Sequence, residues 1–130
     1  MIVVDSSVWI ANLRDLNTAS VRRLRELDQA TEPVLVGDLI LLEVLQGARD
    51  EQHADRIERA LRQFPLEPML DPDLAVRAAR NVRALRGRGI TVRKTIDVII
   101  GTFCIERGHH LLHDDRDFLP MATHLGLRVL

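Results

Sequence analysis

The chain has 130 residues, long enough to bury a core and typical of one domain, and we predict a single domain over residues 1–130. Hydrophobic residues make up 46% and charged residues 28% of the sequence, a balance that excludes a disordered or fibrous protein. The 18 basic and 19 acidic side chains leave a net charge of −1, so any binding of nucleic acid must depend on local basic patches.

Two features of the sequence favour a cytoplasmic protein. Cys104 is the only cysteine, which excludes an intrachain disulfide and is typical of a reducing compartment. The chain opens on MIVVDSSVWI, which has no basic residue before its apolar run and contains Asp5. This apolar run is also far shorter than the ~20 residues that a membrane-spanning helix needs. We therefore expect neither export nor membrane insertion.

Short apolar runs rich in β-branched residues alternate with helical patterns along the chain, which is typical of an α/β fold. The predicted strands are Ile2–Val4, Val34–Val36, a weak one within Phe64–Met69, His110–Leu112 and Leu127–Val129. The predicted helices are Ser20–Ala30, Leu39–Leu45, Glu51–Gln63, Leu74–Arg86, Ile96–Arg107 and Asp117–Leu125. Their predicted N-caps are Asn17 or Thr18, Asp38, Asp50, Asp73 and Thr95. Alternation of strands and helices is typical of right-handed crossover connections, which join parallel strands and place the helices on the faces of the sheet. We therefore expect a mostly parallel sheet of four to five strands flanked by helices.

Three acidic residues each stand alone in a strongly apolar stretch of the sequence. Asp5 interrupts the opening apolar run, Glu43 lies in the helix predicted over Leu39–Leu45, and Asp97 precedes Val98-Ile99-Ile100. That helix is apolar on nearly every side, so we expect it to be a core helix that partly desolvates Glu43. An unpaired buried carboxylate is costly, and none of the three stretches contains a Lys or Arg. If the acids converge, a hard divalent cation such as Mg²⁺ or Mn²⁺ would relieve their repulsion.

The segment HDDRDF, which follows the strand predicted at His110–Leu112, supplies further acids. Asp115 and Asp117 are two residues apart, so in an extended turn their side chains point the same way. Ser6 and Ser7 follow Asp5 directly and are suited to orienting its carboxylate. Parallel strands direct such residues to the carboxyl edge of the sheet, where ligands bind in open α/β folds. The sequence therefore predicts an acidic metal site at that edge.

Most of these acids also have an ordinary structural explanation. Asp97 lies in the first turn of a helix, where the helix dipole favours any acid. Asp5 is suited to capping a helix that starts near Ser7, and Asp114 or Asp115 to capping the helix that follows, a role we prefer for Asp114. Glu43 has the weakest alternative, because the core helix we expect there has no structural use for a lone glutamate.

Four segments in this order resemble the VapC-like toxins of the PIN-domain ribonucleases: MIVVDSSVWI, LLEVLQG, TVRKTIDVIIGTFC, and LLHDDRDF with a closing GLRVL. The resemblance covers nearly the whole chain and implies a mostly parallel sheet flanked by helices and RNA cleavage with Mg²⁺ or Mn²⁺. It implies an acidic site made of Asp5, Glu43, Asp97 and Asp115. Asp117 is similar to a less uniform fifth acid, and Ser6 stands where the family often has Thr or Ser. The resemblance further implies a homodimer and an antitoxin that inserts a segment, often bearing an Arg, into the acidic site.

Basic residues concentrate between Leu74 and Ile96, where the sequence contains no acid. Arg77, Arg80 and Arg83 follow one another at helical i, i+3 spacing and form a basic stripe. This stripe is either a solvated helix face, a track for the RNA backbone, or a docking surface for an acidic partner. Arg93 and Lys94 lie closest in sequence to Asp97 and are candidates for neutralising the acidic site or for binding the scissile phosphate.

The sequence therefore predicts a metal-dependent endoribonuclease that acts as the toxin of a toxin–antitoxin pair and cleaves RNA with metal-activated water. The alternative is a non-catalytic PIN-like module that binds RNA or a protein. An aspartyl-phosphate phosphatase is disfavoured because Ser7 stands where that class needs a second acid. A zinc site at His109, His110 and His113 is disfavoured because no second group of ligands accompanies them.

Overall fold

The computed structural model describes residues 1–130 and forms a five-stranded sheet. The strands are β1 (Ile2–Val4), β2 (Val34–Gly37), β3 (Leu66–Glu67), β4 (His110–Leu112) and β5 (Arg128–Val129). They lie in the order β3-β2-β1-β4-β5, and every neighbouring pair is parallel. The predicted α/β class and mostly parallel sheet are confirmed, and the weak third strand and the short fifth strand both form.

Seven helices flank the sheet: α1 (Ser6–Leu13), α2 (Ala19–Glu26), α3 (Asp38–Gln46), α4 (Glu51–Leu61), α5 (Pro72–Gly87), α6 (Thr95–Arg107) and α7 (Leu119–His124). A 3₁₀ turn over Arg116–Phe118 precedes α7. None of these helices combines the length and the apolar character that crossing a membrane requires.

Strand β1 lies at the centre of the sheet, between β2 and β4, and its three residues are all buried. Ile2 pairs with Val34 on one side and with His110 on the other, and Val4 pairs with Leu112. From β1 the chain builds β2 and β3 on one side of the sheet, and it later returns to build β4 and β5 on the other. The order of strands therefore reverses between β1 and β4.

The helices pack on a core of 25 buried residues. Helix α6 contributes Val98, Ile100, Phe103 and Cys104, so the single cysteine of the chain is a core residue. Burial also raises the pKa of the Cys104 thiol to about 12, which keeps it unreactive. Adding a Cβ at Gly101 would bring it to 2.4 Å from Met121 Sδ, so this glycine makes room for α7 to pack on α6.

Helix α3 differs from the core helix predicted over Leu39–Leu45. Only Ile40 and Val44 are buried, and Leu42 is 54% exposed. The prediction was wrong because an apolar sequence shows that burial is favourable but cannot show on how many sides neighbours are available. Glu43 is nevertheless partly buried, on the side of the helix that faces the sheet edge described below.

The predicted helix starts are correct at two caps and shifted at the others. Thr18 accepts a hydrogen bond from Val21 N, and Asp50 accepts one from His53 N. Helix α5 is capped by Asp71 instead of Asp73, since Pro72 is suited to the first helical position, where no N–H is needed. Helix α2 ends at Glu26, short of the predicted Ala30. The remaining N-caps lie one residue before the predicted ones, at Gly37 and Lys94.

Candidate active site

The reversal of strand order between β1 and β4 creates a crevice at the carboxyl edge of the sheet, the usual ligand site in open parallel sheets. Asp5 follows β1 directly, and Asp115 lies three residues beyond β4. Glu43 comes from α3, which begins directly after β2. Asp97 comes from the first turn of α6. Segments far apart in the sequence thus bring their acids to one edge.

Asp5 is 3% exposed and uses its two carboxylate oxygens differently. Its Oδ2 accepts hydrogen bonds from Ser7 N at 3.1 Å and from Ser7 Oγ at 2.6 Å, which caps α1. Its Oδ1 is buried and has no hydrogen-bond partner. Helix capping therefore explains one oxygen of this carboxylate, and the other remains available for a ligand.

Asp97 is 4% exposed, and its Oδ2 is likewise buried without a hydrogen bond. The nearest cation is Lys94, whose Nζ lies 3.5 Å from that oxygen, an ion-pair contact too long for a good hydrogen bond. Burial raises the pKa of Asp97 to about 6, with Lys94 opposing the shift and the charges of Asp5 and Asp115 adding to it. Stabilisation of Asp97 by the helix dipole alone does not explain why Oδ2 is buried without a hydrogen bond.

Asp115 and Asp117 complete the most compact group of acids. One oxygen from each of Asp97, Asp115 and Asp117 lies within 4.8 Å of the other two. Asp115 Oδ1 accepts the backbone N–H of Asp117 at 2.9 Å, and its Oδ2 accepts Lys94 Nζ at 3.1 Å. Burial alone would raise the pKa of Asp115, but these two contacts outweigh it and lower that pKa. Asp117, which the spacing paired with Asp115 and the resemblance gave only as a fifth acid, belongs to this compact group.

Glu43 stands beside this compact group and not within it. Ser6 Oγ donates to Glu43 Oε1 at 3.2 Å, so the serine after Asp5 joins α1 to α3. Burial raises the pKa of Glu43, and the nearby charge of Asp5 raises it further. Asp5, Ser6 and Glu43 therefore form one side of the site, and Asp97, Asp115 and Asp117 form the other.

Basic side chains line the same crevice. A pocket of about 130 Å³ is lined by Asp97 and Asp117 together with Arg93, Lys94 and Arg116. Arg116 was not predicted as a site residue from the sequence, although its position between Asp115 and Asp117 in HDDRDF indicates that it lies beside the predicted acids. A wider groove of about 450 Å³ adjoins this pocket, and the two share the lining residues Ile90, Thr91 and Val92.

The structure divides the basic stripe of α5. Arg77 Nη1 lies 2.5 Å from Glu106 Oε2 at the last turn of α6, far from the acidic edge. Arg80 and Arg83 are exposed and form no ion pair, so they remain available to bind phosphate. Arg86, on the same helix, lines the groove of about 450 Å³.

Asp114 does not cap the helix that follows, which corrects the role we preferred for it. Its carboxylate accepts a hydrogen bond from Ser20 Oγ, and its N–H donates to Ser7 Oγ at 3.1 Å. Asp115 provides the cap of the 3₁₀ turn instead. Ser7 therefore hydrogen-bonds both to Asp5 and to the segment that follows β4, and this fixes the position of Asp5 relative to that segment.

The histidines near the end of β4 do not contribute ligands to the site. His113 Nδ1 accepts the N–H of Asp115, and no histidine belongs to the acidic cluster.

The donor set suits a hard divalent cation. All of the grouped ligands are carboxylate oxygens, which Mg²⁺ and Mn²⁺ prefer, and no sulfur or imidazole competes with them. The buried oxygens without hydrogen bonds, Asp5 Oδ1 and Asp97 Oδ2, are the atoms that a cation would satisfy. A parallel α/β sheet with a carboxylate cluster and arginines at its switch point is the arrangement expected of a class of proteins that bind a divalent cation together with a phosphate ester.

Comparison with known proteins identifies the family within this class. Residues 2–123 match the PIN domain, and the chain therefore belongs to the PIN-domain family. It is 32% identical over 130 residues to the VapC ribonuclease Mb1587 of Mycobacterium bovis and to the ribonuclease VapC11 of Mycobacterium tuberculosis. These alignments cover 98% of this chain and 96% of each relative, which places the chain with the VapC ribonucleases.

The fold is also that of solved VapBC structures. VapBC2 from Rickettsia felis, solved bound to a DNA fragment from its promoter, superposes with a TM-score of 0.80. The superposition covers 100% of this chain and 98% of that chain at 13% sequence identity. At that identity the likeness concerns the fold, and the family assignment depends on the sequence matches above.

Proposed function

We propose that this protein is an endoribonuclease that uses Mg²⁺ or Mn²⁺ to cleave RNA, and that it acts in the cytoplasm as the toxin of a toxin–antitoxin pair. In this proposal residues 1–130 form one nuclease unit, the protein is a homodimer, and a cognate antitoxin restrains it. The observation that carries the proposal is the pair of buried carboxylate oxygens without hydrogen bonds, Asp5 Oδ1 and Asp97 Oδ2, at the switch point of the sheet.

The relatives support the choice of substrate and partner. The curated relatives at 32% identity are named ribonucleases, which favours RNA as the substrate. The fold neighbours include VapBC proteins, one of them described as a member of a family of toxin–antitoxin systems. An antitoxin that covers the acidic edge would explain why a cell tolerates an enzyme of this kind.

In this proposal each acid has a defined task. Asp5, Asp97 and Asp115 would hold the cation, with Glu43 and Asp117 completing the set. A bound divalent cation supplies the Lewis acidity that activates water and stabilises charge on the scissile phosphate. Ser7 binds Oδ2 of Asp5 and would leave Oδ1 for the cation, and Ser6 binds Oε1 of Glu43 and would leave Oε2 for it.

The basic residues would position the RNA. Arg93 and Arg116 line the acidic pocket and are placed to contact a phosphate beside the cleaved bond. Arg80 and Arg83 are exposed on α5 and would neutralise phosphates farther along the strand. Such contacts set affinity and orientation and carry no base specificity.

The test is cleavage of end-labelled single-stranded RNA by the purified protein. We expect cleavage with Mn²⁺ or Mg²⁺, none with EDTA, and a loss of activity in Asp5→Asn. Glu106→Gln is the matched control, because it neutralises an acid on the far side of the same fold. Cleavage that persists in EDTA would contradict the metal mechanism. RNA binding without cleavage under any metal condition would instead establish a non-catalytic module.

A further inference from the structure

The acidic cluster already contains one positive charge that belongs to the chain itself. Lys94 Nζ lies 3.1 Å from Asp115 Oδ2 and 3.5 Å from Asp97 Oδ2, so the ammonium bridges two of the clustered carboxylates. Asp97 Oδ2 is also the buried oxygen that lacks a hydrogen bond. Lys94 and a divalent cation would therefore compete for the same carboxylate oxygens.

The exposure of the two partners shows which one is free to move. The side chain of Lys94 is 52% exposed, whereas the side chain of Asp97 is 6% exposed. Lys94 also stands immediately before α6, at the end of the loop that follows α5, and its four-carbon stem is flexible. The carboxylates are held by the fold, while the ammonium reaches them from solvent. Lys94 is therefore able to leave without disturbing the core.

We propose that Lys94 is an internal counter-ion of the acidic site, which neutralises Asp97 and Asp115 in the metal-free protein and swings away when a divalent cation binds. This inference rests on the proposed function, since it requires a metal at the acidic cluster. Its consequence is competition: each metal-binding event must displace an ammonium from Asp115. Lys94 thus stabilises the metal-free protein and raises the metal concentration that is needed to load the site.

The first experiment measures Mn²⁺ affinity by titration calorimetry in wild type, Lys94→Met and Lys94→Arg. Removing a unit charge about 4 Å from the ligands should tighten binding in Lys94→Met by roughly tenfold or more. Lys94→Arg keeps the charge and should bind as weakly as wild type. Arg88→Met is the matched control, because Arg88 is an exposed cation of the same loop region without an ion pair, and it should change affinity by less than about twofold.

The stability of the same proteins provides a second readout that does not involve activity. Without metal, Lys94→Met should melt at a lower temperature than wild type, because the acids then repel one another without compensation. With saturating Mn²⁺ this difference should disappear. Equal Mn²⁺ affinity in wild type and Lys94→Met would overturn the counter-ion while leaving the metal site intact. Failure of every variant to bind Mn²⁺ would overturn the metal site itself and this inference with it.

A third experiment uses the unmodified protein, because Lys94 is the only lysine in the chain. An N-hydroxysuccinimide ester acetylates amines, and mass spectrometry then follows Lys94 with the α-amino group as the internal reference. Saturating Mg²⁺ should accelerate acetylation of Lys94 several-fold, since the ammonium is released from Asp115. An unchanged or slower rate with Mg²⁺ bound would show that Lys94 stays in place, and it would overturn the proposal even if the variants failed to fold.

Discussion

Helix α6 carries an acid at each end, and the two acids lie in opposite environments. Asp97, in the first turn, is 4% exposed and has a buried oxygen without a hydrogen bond. Glu106, in the last turn, has a side chain that is 31% exposed and is paired with Arg77 at 2.5 Å. The sequence places both beside apolar residues of one helix. The comparison shows that a carboxylate is informative about function when burial leaves it unsatisfied, and not merely when it stands among apolar neighbours.

The largest expected difference between the two ends is in catalysis. Asp97→Asn keeps the shape of the side chain but removes a charge from the candidate ligand set, so RNA cleavage should fall by at least about 100-fold. Glu106→Gln should leave cleavage unchanged, because an exposed ion pair far from the site contributes only about 0–1 kcal/mol to stability. Initial rates of cleavage with Mn²⁺ measure both. Equal losses in the two variants would show that activity reports folding and not the site.

The two ends should also differ in their response to metal. At a Mn²⁺ concentration 100 times the dissociation constant, a ligand that binds only the native state adds about 2.7 kcal/mol of stability. We expect a corresponding rise in melting temperature for wild type and for Glu106→Gln, and little rise for Asp97→Asn. Thermal unfolding with Mn²⁺ and with EDTA measures the effect. A full rise in Asp97→Asn would remove Asp97 from the ligand set.

The pH dependence of stability should separate the two acids further. The pKa of Asp97 is about 6 in the folded protein against an ordinary value of 3.8, so folding favours its protonated form. Its stabilising contribution is complete below pH 3.8 and is lost as the pH rises through 6. In the metal-free protein Asp97 should therefore contribute about 1 kcal/mol more stability at pH 5 than at pH 7, whereas the lowered pKa of His109 acts in the opposite direction over the same range.

Urea unfolding in EDTA at pH 7, 6 and 5 measures this gain. Asp97→Asn should remove most of it, and Glu106→Gln should preserve it. Glu43, whose pKa is raised in the same direction, provides any part that remains. A change in stability from pH 7 to pH 5 that is the same in wild type and Asp97→Asn would show that Asp97 is ionised without penalty in the fold.

The smallest expected effect concerns the arginines of α5. Each phosphate contact on single-stranded RNA contributes about −0.7 to the slope of log affinity against log salt concentration. Replacing Arg80 and Arg83 together by Ala should flatten that slope by roughly 1.4. Arg77→Ala should change it little, because Glu106 already neutralises Arg77. An unchanged slope in the double variant would leave Arg93, Lys94 and Arg116 as the local cations for RNA, and affinity for an antitoxin would then test the docking role.

Most strands and helices and the candidate acids could be predicted from local sequence patterns. Strand and helix patterns depend on residues a few positions apart, and for this reason the runs at Ile2–Val4 and His110–Leu112 were predicted with their observed bounds. The cap at Asp50 is equally local. Asp5, Glu43 and Asp97 stood out because an acid in an apolar stretch needs a partner wherever the chain folds. Asp115 and Asp117 stood out by their spacing after a predicted strand, and the family resemblance then selected Asp115 for the same set.

How these residues meet depends on packing between segments that are far apart in the sequence. Asp117 joins Asp97 and Asp115 within 4.8 Å because α6 packs against the turn after β4, a contact between distant segments. Lys94 bridges two of these acids for the same reason. The exposure of Leu42 likewise depends on which neighbours reach α3. A local pattern records what each residue favours, whereas the distance between two side chains depends on the packing of the elements that carry them.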